Sequence, residues 1–241
     1  NVQGIHTDTF PTISILVGLL FMVTGESLLV ARLTNIFFVL GAIIFMYFFI
    51  NQLFKRKDLA LLSAFIMAIT PLLVFFGRQM QLINPALFFM MGALYFYVLW
   101  RDKPIMKYFV IFALFSCLSI ITKYSFALFG LPIIFTFPYR MLKNKKNWKQ
   151  ICMGSLFLIP IIAWWIYTNI KAPTFNTLPA DIHIRMGTVF TSNFWNVMRA
   201  YAADNYTLIG LAFALIGLIF MFYFRKNNFG NKFMLSWFVG S

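Results

Sequence analysis

The sequence predicts an all-α, polytopic membrane protein, and three observations carry that prediction. First, 61% of its 241 residues are hydrophobic and only 11% are charged, with a mean hydropathy of +0.83. Soluble domains carry about a quarter charged residues, so this chain lacks the polar surface to face water. Second, apolar runs near the roughly 20-residue length of a membrane-spanning helix recur along the chain. Third, these runs are continuous. A spanning segment must pair its own backbone groups, as a helix or in a closed barrel, and a barrel strand would alternate polar with apolar residues.

Taken in order, residues 1–9 are polar, and a short apolar run follows from Phe10 to Gly25. Its length and Pro11 suit an interfacial or re-entrant helix. Leu28 to Leu53 reads as the first full span, stopped by Lys55, Arg56 and Lys57. Leu59 to Phe76 returns and ends at Gly77-Arg78. Asn84 to Trp100, Tyr108 to Thr122 and Tyr124 to Tyr139 follow, punctuated by Arg101 to Lys103, by Lys123 and by a basic cluster from Arg140 to Lys149. Ile151 to Ile170 is a span that Pro160 would kink. Residues 171–205 are too polar to span and read as a loop, and Tyr206 to Phe224 completes about seven spans. A further apolar run, Phe233 to Ser241, begins an eighth. The polar start and this last run suggest one domain of a longer protein, cut at both ends, with residues 1–27 holding the end of a first loop and the interfacial helix.

The net charge of +14 then has a specific meaning. In a soluble protein it would suggest nucleic acid. Here fourteen of the 20 basic residues lie in alternate short loops, at 55–57, 101–107, 140–149 and 225–232. The positive-inside rule makes those loops cytoplasmic, and nucleic acid is not an expected partner. Arg32, Arg78, Lys123, Lys171, Arg185 and Arg199 then face outward. A plasma-membrane protein with its working face outward is the expected localisation. Cys117 and Cys152 lie in apolar runs and read as small buried hydrophobes.

The spans are nearly free of charge, unlike those of a transporter, so the outward loops hold the candidates for chemistry. Arg78 and Lys123 end apolar runs on that side and could hold a lipid phosphate, Arg as a fork and Lys as a point charge. Lys123 also precedes a predicted helix start, whose free N–H groups would help bind an anion. Either residue could instead snorkel to headgroups. Asp8, in HTDTFPT, could act as a general base toward a hydroxyl. His6 with Asp8, and Asp181 with His183, bring a divalent metal to mind, but two ligands are too few to make a site. There is no G-x-G-x-x-G, Walker loop or H-E-x-x-H. Nothing here would bind a soluble nucleotide sugar, whereas the membrane itself would deliver a lipid-linked donor.

The order of these features resembles the GT-C glycosyltransferases of the ArnT and protein O-mannosyltransferase type (glycosyltransferase family 39-like). That resemblance rests on Pro11, Gly25, Arg32-Leu33, Lys55 to Lys57, Thr70-Pro71, Arg78, Phe88-Phe89 and the Thr122-Lys123 of SIITKYSFALFGLP. It covers most of residues 6–141. Each motif alone is loose, and the specificity lies in their order and spacing. The resemblance implies a GT-C bundle that moves a sugar from a polyprenyl-phosphate donor to a lipid, glycan or protein acceptor. It further implies Asp8 as the catalytic base, Arg78 and Lys123 on the lipid phosphate, and His6 and Asn84 as substrate-binding candidates. Two positions depart from the family pattern. Ile83 stands near the place of a family Asp or Glu, with Asn84 beside it, and Thr12 stands where the family prefers Leu. The competing expectation is a transporter or flippase of lipid-linked saccharides.

Overall fold

The computed structural model describes residues 10–139, 145–171, 191–223 and 229–240. Every regular element among them is helical. The short apolar run forms α1 (Thr12–Thr24), and the first span is α2 (Leu28–Phe54). The return segment is two helices, α3 (Lys57–Ile69) and α4 (Pro71–Gly77). They meet at an angle of 59°. Pro71 explains the break. It has no N–H to give, it holds Thr70 in extended backbone (ψ 120°), and it suits the first position of the next helix.

Helix α5 (Ile83–Asp102) runs parallel to α2, and α6 (Met106–Thr122) returns beside it. The parallel pairing is fixed at both ends. Asn84 Nδ2 donates to Asn35 Oδ1 (3.0 Å) where both helices begin, and Lys55 Nζ pairs with Asp102 Oδ2 (2.9 Å) where both finish. Lys55 closes α2 in the left-handed region (φ 56°), a conformation that disfavours side chains other than glycine. Its ion pair, together with the Gln52 amide on the same carboxylate oxygen (2.7 Å), holds the turn.

Close packing in the bundle uses glycines opposite rings. A Cβ on Gly41 would run into the Phe88 ring, and one on Gly92 would run into Phe115. Without water to drive helices together, such small-against-large contacts let the backbones approach and supply the dispersion energy. The core beyond them is aromatic, with Phe49, Tyr97, Trp100 and Phe233 fully buried.

Residues 124–139, expected as one span, divide into a 3-10 helix (Tyr124–Phe129) and α7 (Gly130–Thr136), with Pro132 tolerated in the first turn of α7. The segment expected at 151–170 comprises α8 (Lys145–Ser155) and α9 (Leu158–Lys171). The interruption falls at 156–157, so Pro160 sits in the first turn of α9 instead of kinking a helix. Finally, α10 (Ser192–Tyr223) extends helix back over residues 192–205, and α11 (Phe229–Gly240) inserts Phe233 against Phe49 and Tyr97.

The described residues bear out only part of the expected seven spans. Among the described residues, three stretches are long and apolar enough to cross a membrane: Leu28–Phe54, Ile83–Asp102 and Trp148–Thr168, the last running through α8 and α9 across their two-residue break. Counting the bent α3–α4 pair as one span makes four. The 17-residue α6 would reach only about 26 Å at 1.5 Å per residue, short of a ~30 Å hydrocarbon core.

Candidate functional site

The end of the bundle where α2 and α5 begin gathers several of the sequence candidates. Helix α1 lies across this end. Phe10 N–H, just before it, bonds the carbonyl of Ile121 at the close of α6 (3.0 Å). Its far end leads through Gly25 (φ 79°) into the start of α2. Ile13 and Val17 form its buried face, in one cluster with Ala31 and Phe38 of α2.

A second bond fastens the entry to α1. The hydroxyls of Thr12 and Thr122 lie 2.7 Å apart. Thr122 Oγ1 is also 2.6 Å from the Leu118 carbonyl, which takes its single proton, so Thr12 donates to Thr122. The chain two residues beyond Asp8 is thus attached to the residues immediately before Lys123. The Phe10 ring meets the Trp164 ring edge-on at 4.9 Å, which brings α9 into the same group.

Lys123 is half-buried at the end of α6, in extended backbone, with its N–H on Ser119 O (3.0 Å). The helix after it corrects one expectation. It is a six-residue 3-10 helix, too short to present the aligned free N–H groups of a longer α-helix. Lys123 would therefore act through its own ammonium.

Arg78 is exposed and follows α4 directly. The turn that carries it is clasped by Asn84. The Asn84 Nδ2 group reaches Phe76 O (2.9 Å), Gln79 O (3.4 Å) and Asn35 Oδ1 (3.0 Å). Asn84 and Asn35 are both fully buried, and Asn35 is itself anchored to Ala31 O (3.2 Å). Asn84 Oδ1 is buried and meets no donor among the described residues. A flipped amide would turn its oxygen toward three acceptors, so the assigned orientation is the one that bonds. Beneath the Thr70–Pro71 bend, a cavity of about 280 Å³ is lined by Thr70, Leu73, Phe76, Asn84 and Leu87, among others.

Electrostatically, the two ends differ. Among the described residues, the ion pairs are Lys55–Asp102 and Arg56–Asp58, both at the opposite end. Neither Arg78 nor Lys123 has an acid partner among the described residues. The acid Glu26 is exposed beyond the far end of α1, about 20 Å along that helix from Phe10.

His6 and Asp8 lie outside the described residues, as do Asp181 and His183. Among the described residues, no three His, Cys, Asp or Glu side chains come together as metal ligands. The sequence reading did not name Asn35 or Trp164, and it named Thr12 and Thr122 as positions of a family pattern without joining them. A polar Asn inside an apolar run was the available signal for Asn35. Nothing local marks Thr12 and Thr122 as partners, because 110 residues separate them.

A family model described as dolichyl-phosphate-mannose-protein mannosyltransferase matches residues 8–167, which span α1 to α9. No curated protein and no solved structure matches the chain significantly.

Proposed function

We propose a function that proceeds from one fact: this chain belongs to the dolichyl-phosphate-mannose-protein mannosyltransferase family. It is a membrane glycosyltransferase of the mannosyltransferase kind. Our reading adds that the donor is a polyprenyl-phosphate sugar and that transfer occurs at the outer face, to a hydroxyl of a lipid, glycan or protein.

In this mechanism the Asp8 carboxylate takes the proton of the acceptor hydroxyl. The acceptor oxygen attacks the anomeric carbon as the bond from that carbon to the phosphate oxygen breaks. The bonding electrons leave with the lipid phosphate, whose growing charge Arg78 and Lys123 stabilise. One displacement inverts the anomeric centre.

The observation that carries this reading is the attachment of Phe10 and Thr12 to Ile121 and Thr122. Two residues of chain, a reach of about 7 Å, separate Asp8 from Phe10. On this reading, chain connectivity keeps Asp8, as base, within reach of Lys123, as the cation for the phosphate. Asn84 supports the reading as the clasp of the Arg78 turn.

The test is sugar transfer from a radiolabelled polyprenyl-phosphate sugar in membranes containing Asp8→Asn, Arg78→Ala or Lys123→Ala protein. Asp8→Asn is expected to lose at least a hundredfold in rate, the scale of one general base. The cation variants are expected to lose tenfold or more. Three variants that all match the parent would remove this site from consideration.

A further inference from the structure

Trp164 carries a buried polar group that nothing above uses. Its indole Nε1 is shielded from solvent and meets no acceptor among the described residues. Buried donors are almost always paired, so an unpaired one needs a reason. Trp164 is also not placed like an ordinary membrane-interface tryptophan. Its neighbour Trp165 is 58% exposed and suits that role, whereas Trp164 packs its ring against Phe10 (4.9 Å) and Tyr167 (5.5 Å).

The surroundings suggest what the N–H is for. The backbone of Phe10 is bonded to Ile121, Thr12 is bonded to Thr122, and Lys123 follows in sequence. A donor-only group is thus packed on Phe10, whose backbone is bonded two residues before Lys123, a cation with no acid partner among the described residues. An indole N–H cannot accept a bond, so the natural ligand for this pairing is an anionic oxygen. A donor held in a shielded site is also already oriented when the anion arrives, which saves reorganisation.

We propose that Trp164 is a binding residue whose indole N–H donates to a phosphate oxygen held by Lys123. The proposal rests on the reading of Lys123 given above and extends that site to α9. The phosphate could belong to a lipid carrier or be free in solution, and the experiment separates these sources.

The full chain is placed in phosphatidylcholine nanodiscs with its tryptophans ¹⁵N-labelled at the indole. The Trp164 N–H resonance is assigned by its loss in Trp164→Phe, which keeps an aromatic ring against Phe10. A short-chain polyprenyl phosphate and inorganic phosphate are titrated separately. With polyprenyl phosphate, the Trp164 resonance is expected to move downfield, and Trp164→Phe is expected to bind about tenfold more weakly. Trp165→Phe is expected to bind like the parent. A Trp164 resonance indifferent to both phosphates, or unchanged affinity in Trp164→Phe, overturns the proposal. A shift with inorganic phosphate alone would uphold the Trp164 anion site while removing the lipid-carrier reading of the function.

Discussion

Replacing Asn84 by Ala tests how the Arg78 turn is held. The side-chain amide has two hydrogens and three acceptors in reach: Phe76 O, Asn35 Oδ1 and Gln79 O. Two acceptors are good and the third, at 3.4 Å, is marginal. Loss of the amide does not harm them equally. Phe76 O keeps a backbone bond from Gln79 N–H (3.1 Å), but Asn35 Oδ1 is left buried with no donor in sight. A stranded buried acceptor costs about 1–3 kcal/mol, and polar contacts between membrane helices sit near or below the lower end of that range. The expected destabilisation is about 2 kcal/mol. Asn84→Asp is expected to be worse at neutral pH. A carboxylate there would face the same acceptors, and only its protonated form could donate.

The structure also supplies the probe. Cys117 is 5% exposed while Cys152 is exposed, so in a Cys152→Ser background a thiol-reactive dye reports unfolding through Cys117 alone. Asn84→Ala should react at a lower temperature than its parent. A cycle with Asn35→Ala should show coupling of about 1 kcal/mol, since the two side chains share one bond. Equal melting of Asn84→Ala and parent, or strict additivity in the cycle, would refute the clasp.

Two further outcomes follow from the packing. Gly92→Val would drive methyl groups into the Phe115 ring, with Phe45 also in contact, and overpacking of this kind costs about 1–3 kcal/mol. The same dye assay should show it, and trimming the opposing ring with Phe115→Leu should restore part of the loss. Thr122→Val removes the acceptor for the Thr12 hydroxyl, a single bond worth about 1 kcal/mol. Its melting temperature should barely move, yet sugar transfer should fall severalfold, because this bond locates the chain that leads from Asp8. Transfer at the parental rate would disconnect that contact from function.

Some of this protein was legible from residue order alone. The runs at 28–53 and 84–100 correspond to α2 and α5 with ends off by one or two residues, because apolar length in lipid dictates helix. Other segments with similar composition behave differently. Residues 124–139 form a 3-10 helix followed by a two-turn α-helix, although their hydropathy reads as a span. Hydropathy sums side-chain transfer energies and does not register where the backbone breaks. Pro71 was visible, but the 59° angle it permits depends on what α4 packs against.

The site divides in the same way. Arg78 and Lys123 could be singled out because a cation at the end of an apolar run is a local fact, and charge in loops is counted along the chain. Their company could not. Asn84 could be named as a candidate, but that its N–H groups bond Asn35 and the Arg78 turn could not be read from residue order. Thr12 and Thr122 stood out only as positions in a family pattern, but they join the entry of α1 to the residue before Lys123. The sequence by itself determined the solvent of this protein, its helical class and the residues that carry charge, since those depend on local transfer energy and backbone self-pairing. Only the tertiary structure decided which carbonyls, hydroxyls and rings meet around those charges. Short-range contacts between helices far apart in the chain obey packing geometry, and residue order does not encode that geometry locally.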